Sequence, residues 1–321
     1  MGIKNLNKYL RMNCKDSIHC ISLNELSGKK IVVDISIYLY KYEAENALIE
    51  NMYLLLAIFR KYNIIPIFVF DGKSPNEKKQ LIQQRFECKI EAENQYNIMK
   101  QKLLHIDDDD EKQDVMETMN KLKKKMVYIN KEKIDKVKDL IRFYGASYYD
   151  APNEADEMCA LLVIQKKVWA CLSEDMDMFV YGCPRVLRYF SLLNHTVVLY
   201  SYKGILQELN IPSNNFKEIC IISGTDYNIN TNTDDDYNIF HLFKYFEIYR
   251  KNINQSSSFY HWLKEDINLD LDIELLYKIQ NMFDLLGKEN LNMFNKIKIT
   301  NTCIEHNNLQ YLLEDNGFIF V

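Results

Sequence analysis

The chain is short of glycine and proline, with 9 and 5 in 321 residues, and it holds only 2 tryptophans. Ile, Lys, Asn and Tyr are abundant instead, a bias that suits AT-rich coding DNA. No apolar run approaches the ~20 residues that a membrane-spanning helix needs, so no membrane association is expected. The opening MGIKNLNKYL has no apolar core, and no secretion signal is expected from it. Leu6 stands where a myristoylation pattern beginning at Gly2 requires Ser or Thr. The eight cysteines are scattered without a C-x-x-C pair, and the six histidines form no H-x-x-x-H pair. Zinc is therefore not expected. The cysteines read as reduced thiols of an intracellular protein, with nucleus and cytoplasm not distinguished. There is no internal repeat. Nor is there an excess of positive charge, since the net charge is −5. That balance argues against nucleic acid only at first sight. Setting aside seven carboxylates that a metal would neutralise turns −5 into +2.

Those seven acids are what the chain does have. They are Asp34 in IVVDIS, Asp71 in IFVFDGKSP, Glu154 and Asp156 in APNEADEMCA, Asp175 and Asp177 in WACLSEDMDMF, and Asp226 in CIISGTDY. An apolar run that ends in a carboxylate reads as a buried parallel strand delivering an acid at its C-terminal end, the edge where open α/β sheets bind ligands. Several such strands side by side crowd negative charges together. Hard divalent cations with oxygen ligands, Mg²⁺ or Mn²⁺, relieve that repulsion. A carboxylate cluster holding two such ions is suited to cutting phosphodiesters. Each acid alone also has an ordinary reading. Asp34 and Asp71 suit turns, Glu154 and Asp156 suit the first turn of a helix, and EDMD suits a solvated loop. Their occurrence together, in order, carries the functional reading. The D-x-D at 175–177 brings a HAD-type phosphatase to mind, but Asp34-Ile35-Ser36 lacks the second aspartate of that family's nucleophile motif.

Patterning predicts strands at 30–35 and 64–71, with Pro66 placing the second early or at an edge. Helical periodicity covers 37–62. Polar helices are expected over 76–104 and 112–144, separated by the acidic break HIDDDDEK. Helices polar all round do not enter a core, so the pair reads as a projecting hairpin. Residues 145–156 read as a strand and a helix start, with Asn153 as N-cap and Asp156 in a capping-box position. VWACLS is a buried strand, and RVLRYF pairs with TVVLYS. The remainder reads as helical around a polar loop at 228–238. The fold class is therefore α/β, with a mostly parallel central sheet and a C-terminal helical region.

The motifs MGIKNL, D-x-S with a following Tyr, FVFDGKSP, APNEADEMCA, SEDMDMFVYG and GTDY resemble, in order, the N- and I-regions of the flap endonuclease/XPG family of structure-specific 5′ nucleases. The resemblance covers roughly residues 1–226 well and the rest loosely. It implies a PIN-like fold over 1–226 with a helical arch at about 72–150, and a C-terminal part at 227–321. It also implies two Mg²⁺ or Mn²⁺ ions as cofactors. Asp34, Asp71, Glu154 and Asp156 match the ligands of one ion, with Asp156 where many members carry Glu. Asp175, Asp177 and Asp226 match those of the other. Lys78 and Arg85 match the family's pair near the scissile phosphate, and their spacing of seven puts them on one helix face. Tyr40 matches a base-stacking Tyr, with Tyr38 as a substitute, and Gly2 matches a glycine beside the active site. Two readings fit Lys121, Lys123, Lys124 and Lys125: phosphate contacts in the arch, or plain surface. The acidic run Asp107 to Glu111 reads as a solvated arch tip.

Three departures stand out. The stretch from Asp71 to Glu154 is long and carries DDDDE. After Asp226 the family's glycine-rich helix–turn–helix, which holds K⁺, is replaced by DYNINTNTDDDYNIF, with no glycine between Gly224 and Gly287. LQYLLEDNGFIF does not match the pattern that binds a sliding clamp. The expected protein is thus a monomeric, metal-dependent 5′ nuclease acting on branched DNA, a flap, gap or junction. The alternative is a catalytically silent XPG-fold scaffold.

Overall fold

The computed structural model describes residues 2–103, 109–228, 237–251, 258–285 and 297–320, with the side chains of 109–111 and 114 left aside. The apolar runs form the strands β1 (Ile18–Ser22), β2 (Lys30–Asp34), β3 (Ile65–Phe70), β4 (Ser147–Asp150), β5 (Ala170–Leu172), β6 (Arg185–Ser191) and β7 (Thr196–Ser201). They make one sheet in the order β1-β7-β6-β5-β2-β3-β4. β6, β5, β2, β3 and β4 run parallel; at one side β7 pairs antiparallel with β6, and β1 pairs antiparallel with β7, restoring the direction of the other five. From β2 the chain proceeds to β3 and β4 on one side, then returns to lay β5 and β6 on the other. The carboxyl ends of β2 and β5 therefore flank a topological switch point, where such sheets open a crevice.

The helices are α1 (Leu6–Asn13), α2 (Ser36–Ala44), α3 (Leu48–Lys61), α4 (Lys79–Leu103), α5 (Asp109–Lys125), α6 (Lys131–Phe143), α7 (Ala155–Ile164), α8 (Asp177–Val180), α9 (Tyr202–Glu208), α10 (Ser213–Ile222), α11 (Ile239–Tyr249), α12 (Phe259–Glu265), α13 (Ile273–Met282) and α14 (His306–Asp315). Alternate residues of the central strands feed two cores. Val32, Ile67, Val69 and Cys171 pack with α1, α7 and α10 to α13. Ile31, Val33, Phe68, Phe70 and Leu172 pack with α2, α3, α6 and α14. α7 is apolar on nearly every side and is buried from Ala155 to Val163 apart from its two acids, as a helix without a polar face must be. Each fully buried aliphatic or phenyl side chain contributes about 1.5–3 kcal/mol relative to an exposed one. No described helix is long and apolar enough to cross a membrane.

Several expectations need correction. The helix predicted over 37–62 is two helices, broken where Asn46 takes a left-handed φ of 53°. The helix predicted over 112–144 is also two. α5 pairs with α4 as the expected hairpin, but α6 is amphipathic and buries Val137, Leu140 and Ile141 against the sheet. α4 is not polar all round, since Ile82, Phe86 and Ile90 form an exposed stripe at i, i+4 spacing. β3 is an interior strand, so the edge placement of Pro66 fails. Pro66 is the second residue of β3, one before pairing with β4 begins at Ile67. α1 and β1 were not anticipated, being short and mixed in pattern. The acidic run at 107–111, Asn230, Asn232 and Asp234 to Asp236 lie outside the described residues or side chains.

Helix ends show how a glycine-poor chain turns. Asn46, Asn63 and Asn210 follow the ends of α2, α3 and α9 in left-handed conformations, a place glycine commonly takes, and Asn5 and Asn268 do the same elsewhere. Gly145, at φ 81°, is different. A Cβ there would lie 2.4 Å from the Thr302 carbonyl oxygen, because residues 300–302 cross here. The Thr302 N–H donates to the Gly145 carbonyl at 2.7 Å, and the Arg60 guanidinium donates to the carbonyls of Tyr144 and Thr302 and to Asn301 Oδ1.

Glu218 of α10 is 6% exposed, and its Oε2 accepts a bond from Asn215 Nδ2 at 2.8 Å. Burial pushes its carboxyl up to about 7, against the smaller opposite effect of that bond. Between the unfolded value near 4.3 and about 7, the folded state holds more protons, so stability falls as pH rises through that window. Glu218→Gln is expected to stabilise the protein by about 1–3 kcal/mol at pH 8 and by little at pH 4.5. Urea midpoints at the two pH values check this, and an equal gain at both contradicts it.

Candidate active site

The seven acids arrive from separate elements. Asp34 ends β2, Asp71 follows β3, Glu154 caps α7 and Asp156 sits in its first turn. Asp175 lies in the loop after β5, Asp177 opens α8, and Asp226 follows α10. All lie at the carboxyl edge of the sheet, beside the switch point. Asp34, Asp175 and Asp177 are 5%, 5% and 2% exposed.

Local bonds hold the acids in place. Asp34 Oδ2 accepts from Ser173 Oγ at 2.9 Å, and its Oδ1 accepts from the Ser36 N–H. Asp71 Oδ1 accepts from the Ala155 N–H at 2.8 Å, and its Oδ2 accepts from Ser36 Oγ. The first free N–H of α7 is thus satisfied by a carboxylate from another strand, and Asn153 does not cap the helix as expected. Glu154 occupies the cap position without a side-chain capping bond. Asp175 Oδ1 accepts from the Asp177 N–H at 2.9 Å. Gly2, at φ 72°, lies against this pair, and a Cβ there would come within 2.4 Å of Asp175 Oδ1 and 2.8 Å of Asp177 Oδ1.

Burial and neighbouring carboxylates raise the pKa values of Asp34, Asp156, Asp175 and Asp177. Asp34 is pushed up to about 7 by burial first and by Asp71 next. Asp177 is raised well above the usual range by burial, Asp175 and Asp226. Asp156 is raised by burial, then by Asp175 and Asp34; the residue keeps an open edge, but its Oδ1 is sealed from solvent. Asp156 Oδ1 and Asp177 Oδ1 have no hydrogen-bond partner. Two buried anionic oxygens without donors, among hard oxygen ligands, fit hard divalent cations. Among the described residues no three acids, cysteines or histidines close on one point as a finished shell.

Protein cations occupy part of the cluster. Lys78, 6% exposed, lies 2.8 Å from Glu154 Oε1 and 3.6 Å from Asp226 Oδ2. Burial alone would lower its pKa; Tyr227, whose ring centroid is 4.8 Å away, and Glu154 outweigh it and hold the ammonium above its ordinary value. Arg85, two turns along α4, lies 3.0 Å from Asp226. Tyr227, which sequence reasoning passed over, donates to Glu154 Oε2 at 2.8 Å. Only its place beside Asp226 in GTDY hinted at it. A cleft of 470 Å³ adjoins Tyr227, with Lys73 and Lys278 among its lining.

Tyr40 is 47% exposed, whereas Tyr38 is buried at 2%, so only Tyr40 offers a stacking face. Lys123, Lys124 and Lys125 are exposed at the end of α5, and Lys121 pairs with Glu117 at 2.7 Å. Beyond Asp226, Asn228 shapes the turn with its side chain: Oδ1 accepts from the N–H and Oγ1 of Thr225. It does not adopt a left-handed backbone in place of a glycine.

The XPG N-terminal domain family matches residues 1–92 and the XPG I-region matches 145–226. A protein of Invertebrate iridescent virus 6 described as a "Probable RAD2-like endonuclease" is 28% identical over 284 residues, 72% of this chain and 68% of its own length. Flap endonuclease 1 of Glycine max is 31% identical over 251 residues, 71% of this chain and 62% of its own. The chain thus spans about two thirds of these relatives. The catalytic core of Rad2 in complex with DNA shares the fold, with a TM-score of 0.66 at 19% identity, over 98% of this chain and 94% of that one.

Removing one buried charge tests the crowding. Asp177→Asn is expected to raise the melting temperature in EDTA, because a repelled, desolvated carboxylate is gone. Millimolar Mg²⁺ is expected to raise the melting temperature of the unsubstituted protein and to leave that of the variant unchanged. Scanning calorimetry in both buffers checks this, and a destabilised variant in EDTA refutes it.

Proposed function

This chain belongs to the flap endonuclease/XPG family, and on that premise we propose that it is a metal-dependent, structure-specific 5′ nuclease. Its substrate is DNA in which a single strand meets a duplex, and its reaction is phosphodiester hydrolysis. The observation that carries this reading is the buried carboxylate cluster with two partnerless oxygens, entered by Lys78 and Arg85 from the foot of a projecting helical hairpin. A carboxylate at every one of the seven positions counts against a silent scaffold.

Asp34, Asp71, Glu154 and Asp156 are proposed to hold one ion, and Asp175, Asp177 and Asp226 the other, directly or through waters. When bound, such ions lower the pKa of the attacking water and offset charge on the leaving oxygen. The protein supplies the rest. Ser36, Ser173 and the Ala155 N–H fix the carboxylate rotamers. Lys78 and Arg85, now counter-ions of Glu154 and Asp226, transfer their donors to the scissile phosphate as its charge develops. Gly2 leaves room beside Asp175 and Asp177. Tyr40 stacks on a base next to the cut, and Lys123, Lys124 and Lys125 contact phosphates at the foot of the hairpin.

Cleavage of 5′-flap, gapped, nicked and four-way-junction DNA in parallel is the primary test. Activity is expected with Mg²⁺ or Mn²⁺ and none in EDTA; no cleavage of any substrate would refute the reading. Lys78→Ala and Arg85→Ala are each expected to lower the single-turnover rate by about 10²–10³ while changing DNA affinity far less. Equal losses in both would make them uniform phosphate binders.

The element after Asp226 is proposed to bind duplex DNA more weakly than a glycine-rich one and without the backbone K⁺ site that glycines permit, since close backbone approach needs residues lacking Cβ. Cleavage at constant ionic strength is expected to be insensitive to replacing K⁺ with tetramethylammonium. A saturable K⁺ requirement would show that the ion site persists without its glycines.

A further inference from the structure

One turn beyond Arg85 on the same face of α4 stands a third cation, Lys89. Its Nζ lies over two aromatic rings, 5.0 Å from the centroid of Tyr40 and 4.8 Å from that of Tyr128, and donates to the Val127 carbonyl at 2.9 Å. Tyr40 comes from α2 and Tyr128 from the link between α5 and α6, so three separate elements meet at this ammonium. Both rings are nevertheless open to solvent, at 47% and 48%. Their centroids are at most 9.8 Å apart, the two Nζ distances end to end. Stacked aromatic rings place their centroids about 4.5–7 Å apart. The ammonium therefore lies over two solvent-open rings at once, at a distance from each within the range of a stacked ring.

We propose that Tyr40 and Tyr128 form a two-sided clamp for one unpaired nucleobase, and that Lys89 holds the clamp open until the base enters and displaces its ammonium onto the adjoining phosphate. The proposal rests on the nuclease reading, in which Tyr40 already stacks on a base, and adds to it Tyr128 as the second face and Lys89 as the group the base displaces. Geometry along α4 supports it. Lys78, Arg85 and Lys89 are spaced by seven and four residues and share a face, and four residues advance a helix by about 6 Å. A strand whose phosphate lies at Arg85 therefore brings a neighbouring nucleotide to Lys89. The displacement is favourable because base–aromatic stacking is stronger than an exposed cation–π contact. Burial and the nearby Arg85 already lower the pKa of Lys89 where it stands.

The test uses the full chain in EDTA, so that binding is read without cleavage. The ligand is 5′-flap DNA carrying 2-aminopurine at successive unpaired positions next to the junction. One position is expected to be quenched by stacking. Tyr128→Leu should reduce that quench, leaving the part due to Tyr40, and weaken binding by about five- to a hundredfold, and Tyr128→Phe should retain both. Lys89→Met should keep the quench and reduce the salt dependence of binding by about one phosphate contact. The clamp is overturned if Tyr128→Leu binds and quenches like the unsubstituted protein. It is equally overturned if Lys89→Met loses as much of the quench as Tyr128→Leu, because Tyr128 would then serve only to hold the lysine. Cleavage by the unsubstituted protein in Mg²⁺ is scored alongside. Its absence defeats the nuclease reading, whereas its presence with an indifferent Tyr128→Leu defeats the clamp alone.

Discussion

Repulsion among carboxylates in a buried space governs this molecule. Strands that end together at a switch point concentrate whatever their last residues carry, and here they carry acid. Asp34, Asp175 and Asp177 are almost wholly removed from water, so the charges are weakly screened and their protonated forms are favoured. The surroundings answer with donors: two serine hydroxyls, backbone N–H groups from Ser36, Ala155 and Asp177, one ammonium and one guanidinium. Even so, two oxygens remain without partners. A fold selected for stability alone would place apolar residues at these strand ends, so the arrangement makes physical sense as a site that is incomplete by itself.

The hairpin of α4 and α5 follows from that site. A helix rooted at Lys78 can place cations at intervals along one face, nearest the acids first. Its first two are tied to Glu154 and Asp226 and its third to tyrosines of neighbouring elements. The root is therefore fixed by charge and aromatic contact. α6 anchors the return of the chain by hydrophobic packing. Between root and anchor, Ala92 and Leu122 are the buried side chains among the described residues of the hairpin, and most of the described surface faces solvent.

Much of this was legible in the residues. IVV and IFVF are buried on both faces, so these apolar runs named the strands, and the acids that close them, Asp34 and Asp71, pointed to the candidate site. Asp34, Asp71, Glu154, Asp156, Asp175, Asp177 and Asp226 were singled out as candidates by order and company, and the fold gathers them at one edge of the sheet. Three kinds of feature were not legible. Asn46 breaks a helix because a left-handed residue costs asparagine little, and hydrophobic periodicity carries no trace of that. The cap of α7 comes from Asp71, 84 residues away in sequence, so a local capping rule chose Asn153 wrongly. Tyr128, Tyr227 and Lys89 belong to a common background of tyrosine and lysine, and only their convergence in space sets them apart.

Left-handed positions in this chain divide by the room around them. Where a side chain fits, asparagine and glycine both serve: Asn46, Asn63 and Asn210 stand after helices, and Gly28 and Gly317 would meet nothing within 4 Å of an added Cβ. At other glycines a Cβ has nowhere to go. Gly2, Gly72, Gly145 and Gly204 are such places, each with a polar atom within 2.4 Å of the missing carbon. Two of these four, Gly2 against Asp175 and Asp177 and Gly72 directly after Asp71, adjoin the carboxylate cluster, so the backbone there is packed too closely to accept a side chain.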